Sequence, residues 1–300
     1  MEPVVTLHHF TLPRWLSERG GWQCRDVEDH FVRYVECVLE EYRDLARWWI
    51  TINEPVVQVF KGYLIRQWPP GHTTHYKRAF QAVRHMLRAH VRAYHVIHDR
   101  RPDAMVSVAQ HVLALQPCNP DSWTDGLWVR GRDYLFNNLF LDSLHSGWLA
   151  VPGQFFERLP LARSLDFIGL NYYTRDFVKN SGLDVPGLIG TFCKLPDHQM
   201  IVKRNDLGWE IYPEGLGQFL HRFRRYRLPL LITENGVPES NDEDRWTFIL
   251  LHLWQVARAI ADRVPVVGYL HWSLLDNYEW ADGYGARFGL IGVDFTTQQR

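Results

Sequence analysis

Six short runs along the chain follow one rule: apolar or β-branched residues first, hydrogen-bonding or aromatic residues at the carboxyl end. They are VVTLHHF (4–10), WWITINE (48–54), AMVSVAQH (104–111), DFIGLNYY (166–173), LLITENG (230–236) and VPVVGYLHW (264–272). Short apolar runs of this kind predict strands buried on both faces. Between most of them the apolar positions switch to helical spacing. Val27, Phe31, Tyr34, Val35, Val38, Leu39, Tyr42 and Leu45 mark a helix over 27–45. Phe80, Val83, Leu87, Val91, Tyr94 and Ile97 mark another over 75–100. Pro213 suits the first turn of a helix carrying Leu216, Phe219, Leu220 and Phe223. After Ser240, with Glu243 three residues on as a capping box, Trp246, Ile249, Leu250, Leu253, Val256 and Ile260 form a further apolar stripe.

Alternating strands and helices predict parallel strands joined by helical crossovers. With polar chemistry gathered at the carboxyl ends, the expected fold is α/β, a TIM-type (β/α)8 barrel. A doubly wound open sheet is the competing architecture, but it usually carries a glycine-rich first turn, and neither GxGxxG nor GxxxxGK[ST] occurs here. No repeat or linker divides the chain, so residues 1–300 read as one domain. Residues 174–208 form the longest irregular stretch and read as a loop over the barrel mouth.

Composition narrows the classes. The chain is 46% hydrophobic and 22% charged, with a formal net charge of −1, which gives no electrostatic case for nucleic acid or an anionic membrane. No stretch approaches the ~20 apolar residues of a membrane span, and the N-terminus has no signal-peptide pattern. Cys24, Cys37, Cys118 and Cys193 are scattered and read as reduced thiols, which fits a cytoplasmic protein. The 13 Trp, 13 Tyr and 16 Phe build a large aromatic core or stack on flat sugar faces; composition does not choose between these.

Glu54 and Glu234 end two of the six runs. Asn235 and Gly236 follow the second, a pair that turns the chain easily through positive φ. Two acids at one barrel mouth suit glycoside hydrolysis, in which one attacks the anomeric carbon and the other protonates the leaving oxygen. Two structural salt bridges are the alternative.

Taken together, TLHHF, TINEP, GLNYYT, GWEIYPEGL, ITENG and GYLHWSLLDNYEWADGYGARFGLIGVDF resemble glycoside hydrolase family 1, the β-glucosidase family, in order and over nearly the whole chain. The resemblance implies Glu54 as general acid/base and Glu234 as nucleophile of a retaining β-glycosidase. It implies His9 and Asn53 as partners of sugar hydroxyls and Tyr173 as a hydrogen-bond partner of the nucleophile. Trp272 is implied beneath the ring, and Glu279 with Trp280 at the distal hydroxyls. An acid at 279 would repel a sugar phosphate, so the expected substrate is an unphosphorylated β-glucoside or β-galactoside, handled without a cofactor. Against the family pattern the chain starts at what looks like the third strand, and VDFTTQQR ends before the final helix. The expected core is therefore a truncated six-stranded version of the barrel, with self-association through exposed barrel edges. A catalytically weak or inactive family 1 fragment is the alternative function.

Other candidates carry less. His8 and His9 are strand neighbours on opposite faces and cannot chelate together. His85, His90, His95 and His98 lie on a predicted helix and read as a solvated face. DGYGARFG (282–289) lacks the lysine and helix start of a phosphate cradle.

Overall fold

A computed structural model describes residues 1–71, 76–151, 155–180, 191–193 and 203–300. The strands are β1 (Val4–His8), β2 (Trp48–Asn53), β3 (Met105–Pro117), β4 (Trp148–Val151), β5 (Phe155–Arg158), β6 (Ile168–Lys179), β7 (Thr191–Phe192), β8 (Leu230–Asn235) and β9 (Val266–His271). Among the described residues one sheet runs in the order β1-β2-β3-β6-β8-β9, with β7 antiparallel beside β6. The pairs β1/β2, β2/β3 and β8/β9 are parallel. All six predicted runs are in this sheet, and β1 and β9 are the ends of its path. The small β4-β5 hairpin stands apart as a second sheet.

The chain gathers into two compact units, Met1–His111 with Leu135–Gly169, and Val112–Tyr134 with Leu170–Arg300. β3 and β6 run through both.

In the first unit, Trp49, Ile50 and Ile52 of β2 are fully buried. The helix Val27–Tyr42 contributes Val27, Phe31, Val35 and Leu39, leaving Tyr34, Tyr42 and the following Leu45 exposed. The helix Tyr76–Arg100 contributes Val83, Leu87, Val91 and Ile97, as its spacing predicts. Its histidines do not form a solvated face. His85 binds the Trp22 carbonyl at 2.8 Å, and His90 lies fully buried between Thr51 Oγ1 and the Ser164 carbonyl, each at 2.6 Å. His98 meets Asp166 at 2.8 Å, and His95 is the exposed one of the four. A buried imidazole is tolerated when both nitrogens have partners, and helical spacing does not reveal those partners.

The second unit corrects four further expectations. Residues 174–179 continue β6 instead of entering a loop. Val178 is fully buried there, and its carbonyl accepts from the Cys118 amide at 2.9 Å. The remainder of the expected loop, apart from Asn180, 191–193 and 203–208, lies outside the described residues. Cys118 and Cys193 are not free thiols but a disulfide with Cα atoms 6.0 Å apart, joining residues 75 apart in the chain. Cys24 and Cys37 are unbridged.

The helix Asp242–Ala261 is capped by Asn241 and not Ser240, the Asn241 side chain accepting from the Glu243 amide at 3.0 Å. It turns Phe248, His252, Val256 and Ala259 inward, with Arg245, and leaves Trp246, Leu250, Leu253 and Ile260 exposed. The inward polar pair is accommodated because the Arg245 guanidinium binds the carbonyls of Val237 and Arg287, both at 3.1 Å. His252 Nδ1 likewise meets the Phe248 carbonyl at 2.8 Å. The helix Pro213–Phe223 behaves as predicted, burying Leu216, Phe219, Leu220 and Phe223.

Candidate active site

In the first unit β1 and β2 pair in parallel, with His8 opposite Ile52. The carboxyl ends of both strands therefore lie side by side. Asn53 is buried, and its Nδ2 lies 3.1 Å from His9 Nε2. Burial lowers the His9 pKa below the ordinary imidazole value, opposed by the nearby charge of Glu54. His9 is therefore a neutral imidazole near pH 7, with Nε2 accepting from the Asn53 amide.

Glu54 itself is buried and adopts the left-handed conformation, φ 43° and ψ 56°. For a residue with a Cβ this costs roughly 1–2 kcal/mol, and such outliers cluster where geometry serves chemistry. The surroundings fix it on both sides. Its amide donates to the Ala109 carbonyl at 2.8 Å, and its own carbonyl accepts from the Gln58 amide at 3.1 Å, one turn into the short helix begun by Pro55. The carboxyl group then meets His111 Nδ1 at 3.0 Å through Oε1.

His111 and Gln58 are the site-lining residues that sequence reasoning leaves out. His111 ends the third of the six runs, so the rule that marks Glu54 marks it too. Gln58 is buried between the strand ends, 2.9 Å from His8 Nε2 through Oε1 and donating to the Phe10 carbonyl at 2.9 Å through Nε2. His8 and His9 thus take different partners, as their alternation on the strand requires.

In the second unit Glu234, also buried, accepts a 2.6 Å hydrogen bond at Oε2 from the Tyr173 hydroxyl. A donor this close favours the ionised carboxylate. The Tyr173 ring stands edge-on to Phe288 and to Trp209, each with centroids 6.1 Å away. Trp272 packs on the same cluster and donates through Nε1 to Glu279 Oε2 at 3.4 Å. A continuous set of contacts therefore links Glu234, Tyr173, Trp272 and Glu279. Trp280 follows Glu279, half-buried and also left-handed, at φ 48°.

Two backbone devices hold this set. Neither Asn235 nor Gly236 has a positive φ, contrary to the turn expected for that pair. Gly236 instead admits the backbone of Trp272, whose carbonyl oxygen would lie 1.8 Å from any added Cβ. The β8/β9 pairing brings them together, with the Trp272 amide donating to the Asn235 carbonyl at 3.0 Å. Farther along, Asp276 accepts from the amides of Gly289 at 2.9 Å and Val293 at 3.2 Å, and from Arg287 at 2.9 Å. That carboxylate ties the segment carrying Glu279 and Trp280 into a closed loop. Among the described residues no group of three or more ligands could hold a metal ion, and no helix is long and apolar enough to cross a membrane.

A parallel α/β sheet with buried glutamates at strand carboxyl ends, among tyrosine and tryptophan, is the architecture of a glycoside hydrolase. The chain matches the glycosyl hydrolase family over residues 1–300, described as "Glycosyl hydrolase family 1", and it belongs to that family. It is 35% identical to β-glucosidase A of Thermotoga maritima, covering 99% of this chain and 70% of that protein. With a β-galactosidase of Pyrococcus woesei the identity is 31%, covering 99% and 65%. Among solved structures, a β-glycosidase from Pyrococcus horikoshii superposes with a TM-score of 0.90 at 37% identity, covering all of this chain and 68% of the other. The β-glucosidase from Thermotoga maritima in complex with glucoimidazole gives 0.87 at 33% identity, covering 100% and 71%.

Proposed function

We propose that the chain hydrolyses unphosphorylated β-glucosides or β-galactosides with retention of configuration. The Glu234 carboxylate attacks the anomeric carbon as the bond to the leaving oxygen breaks, and the Glu54 carboxylic acid gives that oxygen its proton. In the second step Glu54, now ionised, takes a proton from water, whose oxygen displaces Glu234. The observation that carries this reading is the 2.6 Å bond from Tyr173 to Glu234. A donated hydrogen bond of this kind favours the ionised form of a carboxylate, while Glu54 Oε1 lies 3.0 Å from His111 Nδ1. His9 and Asn53 would bind hydroxyls on one side of the sugar, Trp272 would face the ring, and Glu279 and Trp280 would take the distal hydroxyls. Glu279 accepts hydrogen bonds and repels phosphate, which supports a neutral sugar.

The test is hydrolysis of a chromogenic β-glucoside. Glu234→Ala is expected to abolish turnover, and added azide to restore it with an α-glycosyl azide as product. A β-azide would remove Glu234 from the nucleophile's role. A second reading, an interaction protein with little or no catalysis, draws support from the exposed apolar stripe of the helix Asp242–Ala261. Absence of any turnover by well-folded wild-type protein would favour it.

A further inference from the structure

Glu54 and His111 meet because the β2/β3 pairing slips. Ile50 stands opposite Ser107 but Asn53 stands opposite Ala109, so β2 uses one residue more than β3 over that stretch. A bulge of this kind re-aims the side chains beside it. It brings the Glu54 amide to the Ala109 carbonyl and Oε1 to His111 Nδ1 at 3.0 Å. The Glu54 side chain is 8% exposed and that of His111 16%, so little water competes for the bond.

The imidazole is held as firmly as the acid. Its ring stands edge-on to Phe136, centroids 5.7 Å apart, and Phe136 stands edge-on to Phe60 at 6.4 Å. Phe60 directly follows the helix Pro55–Val59, which Glu54 begins. Gln110 fastens the far side, its Nε2 donating to the carbonyls of His111 at 2.8 Å and Phe136 at 2.9 Å. Contacts thus run from Glu54 through Phe60, Phe136 and His111 back to the Glu54 carboxyl, all within the first unit. Rotation about the last bond of a glutamate is soft, and this frame stops it.

We infer that His111 is a positioning residue for the acid step: Nδ1–H donates to Glu54 Oε1 and fixes the carboxyl plane, so that Oε2 carries the proton to the leaving oxygen. In that step the Oε2–H bond breaks and its electron pair stays on Glu54. The pair of the broken C–O bond takes up the proton. Nδ1–H keeps its bond to Oε1 throughout and stabilises the carboxylate that results. The inference rests on the glycosidase reading given above and adds the group that aims its acid. From β1, His9 acts on Glu54 through its charge and His8 is held by Gln58. His85, on the helix Tyr76–Arg100, binds the Trp22 carbonyl, and Lys61 turns to the Trp68 ring. Substituting His111 leaves all of these in place.

Measuring kcat/KM across pH for dinitrophenyl and phenyl β-glucosides tests it, since the first leaving group departs with little help and the second needs the proton. His111→Ala is expected to lower kcat/KM about thirtyfold on the phenyl glucoside and no more than about threefold on the other, as misplacing a general acid should. The alkaline limb of the phenyl glucoside profile should move up by roughly one pH unit, because losing a donor leaves the Glu54 proton bound to higher pH. His111→Asn, whose amide nitrogen stands where Nδ1 stood, should restore most of both effects. His111→Gln, whose nitrogen stands where Nε2 stood, should not, and this pair decides the matter even if His111→Ala fails to fold. Equal losses on the two glucosides, an unmoved alkaline limb, or equal rescue by Asn and Gln would overturn the positioning role and leave the glycosidase reading standing. No turnover of either glucoside by folded wild-type protein would overturn both.

Discussion

β2 and β9 obey the same sequence rule and meet different fates. β2 is paired in parallel on both sides, and every residue from Trp49 to Asn53 is buried. Among the described residues β9 is paired by β8 alone, and Val267 and Leu270 remain 54% and 42% exposed. Their neighbouring helices repeat the contrast. The helix Tyr76–Arg100 exposes no large apolar side chain among those that matter to its stripe, whereas the helix Asp242–Ala261 leaves Trp246 and Trp254 each 62% exposed. An apolar run therefore specifies a strand that can be buried, and its burial is completed only by neighbours on both edges. Where a neighbour is absent, the same residues become adhesive surface.

The sharpest way to break this comparison is to truncate one residue in each strand. Trp49→Ala in β2 is expected to cost about 3–5 kcal/mol, because a fully buried indole leaves both lost transfer energy and a cavity. Val267→Ala in β9 should stay within about 0.5 kcal/mol, as a half-exposed side chain on a path end. Urea denaturation with a two-state fit measures both. Comparable losses would mean that β9 is covered in solution and that the contrast is false.

Much of this was legible in the residues. Each of the six runs became a strand of the sheet, and the NEP and TENG segments led to Glu54 and Glu234. What stayed hidden depends on choices that only tertiary neighbours make. The helix Asp242–Ala261 carries two apolar stripes, and periodicity cannot say that Phe248, Val256 and Ala259 are the inner one. Nothing local marks His90 as the bridge between Thr51 and Ser164, since those partners come from distant parts of the chain. The Cys118–Cys193 pairing spans 75 residues and has no local signature. Gly236 was correctly singled out for the wrong reason: a close approach, and not a left-handed turn, excludes a side chain there.

Acid separates the two units more gently. Burial lowers His8 and His90 in the first unit to about 4, and His252 and His271 in the second to about 4. A pKa lower in the folded than in the unfolded chain means that the unfolded chain binds more protons between those values. Stability is therefore full above about pH 6.5 and is lost progressively as pH falls toward 4. Thermal melting across that window should show the decline. The units differ in what each histidine does at neutral pH. Both nitrogens of His90 are bonded, so His90→Leu should lower Tm. Both ring nitrogens of His271 are buried without a hydrogen-bond partner, so His271→Phe should raise stability by about 1 kcal/mol at pH 7 and shrink the acid loss. A fall in stability for His271→Phe would show that the ring has a partner in solution.

The smallest expected effect concerns the surface itself. Trp246, Leu250, Leu253 and Trp254 lie within about two turns of one helix, all exposed. Val267 and Leu270 add apolar area on β9. Burying a large side chain of this kind on association is worth roughly 1.5–3 kcal/mol, less the cost of ordering two molecules. Weak, concentration-dependent self-association is the expected balance. Size-exclusion chromatography with light scattering should give a mass that rises above the 35.4 kDa of one chain as concentration increases. Trp246→Glu with Trp254→Glu should return it to one chain without altering the melting temperature by more than a few degrees, since neither ring belongs to the core. An unchanged association would move the contact to the open edge of β9, where a charged residue at Val267 would then be the change that disperses it.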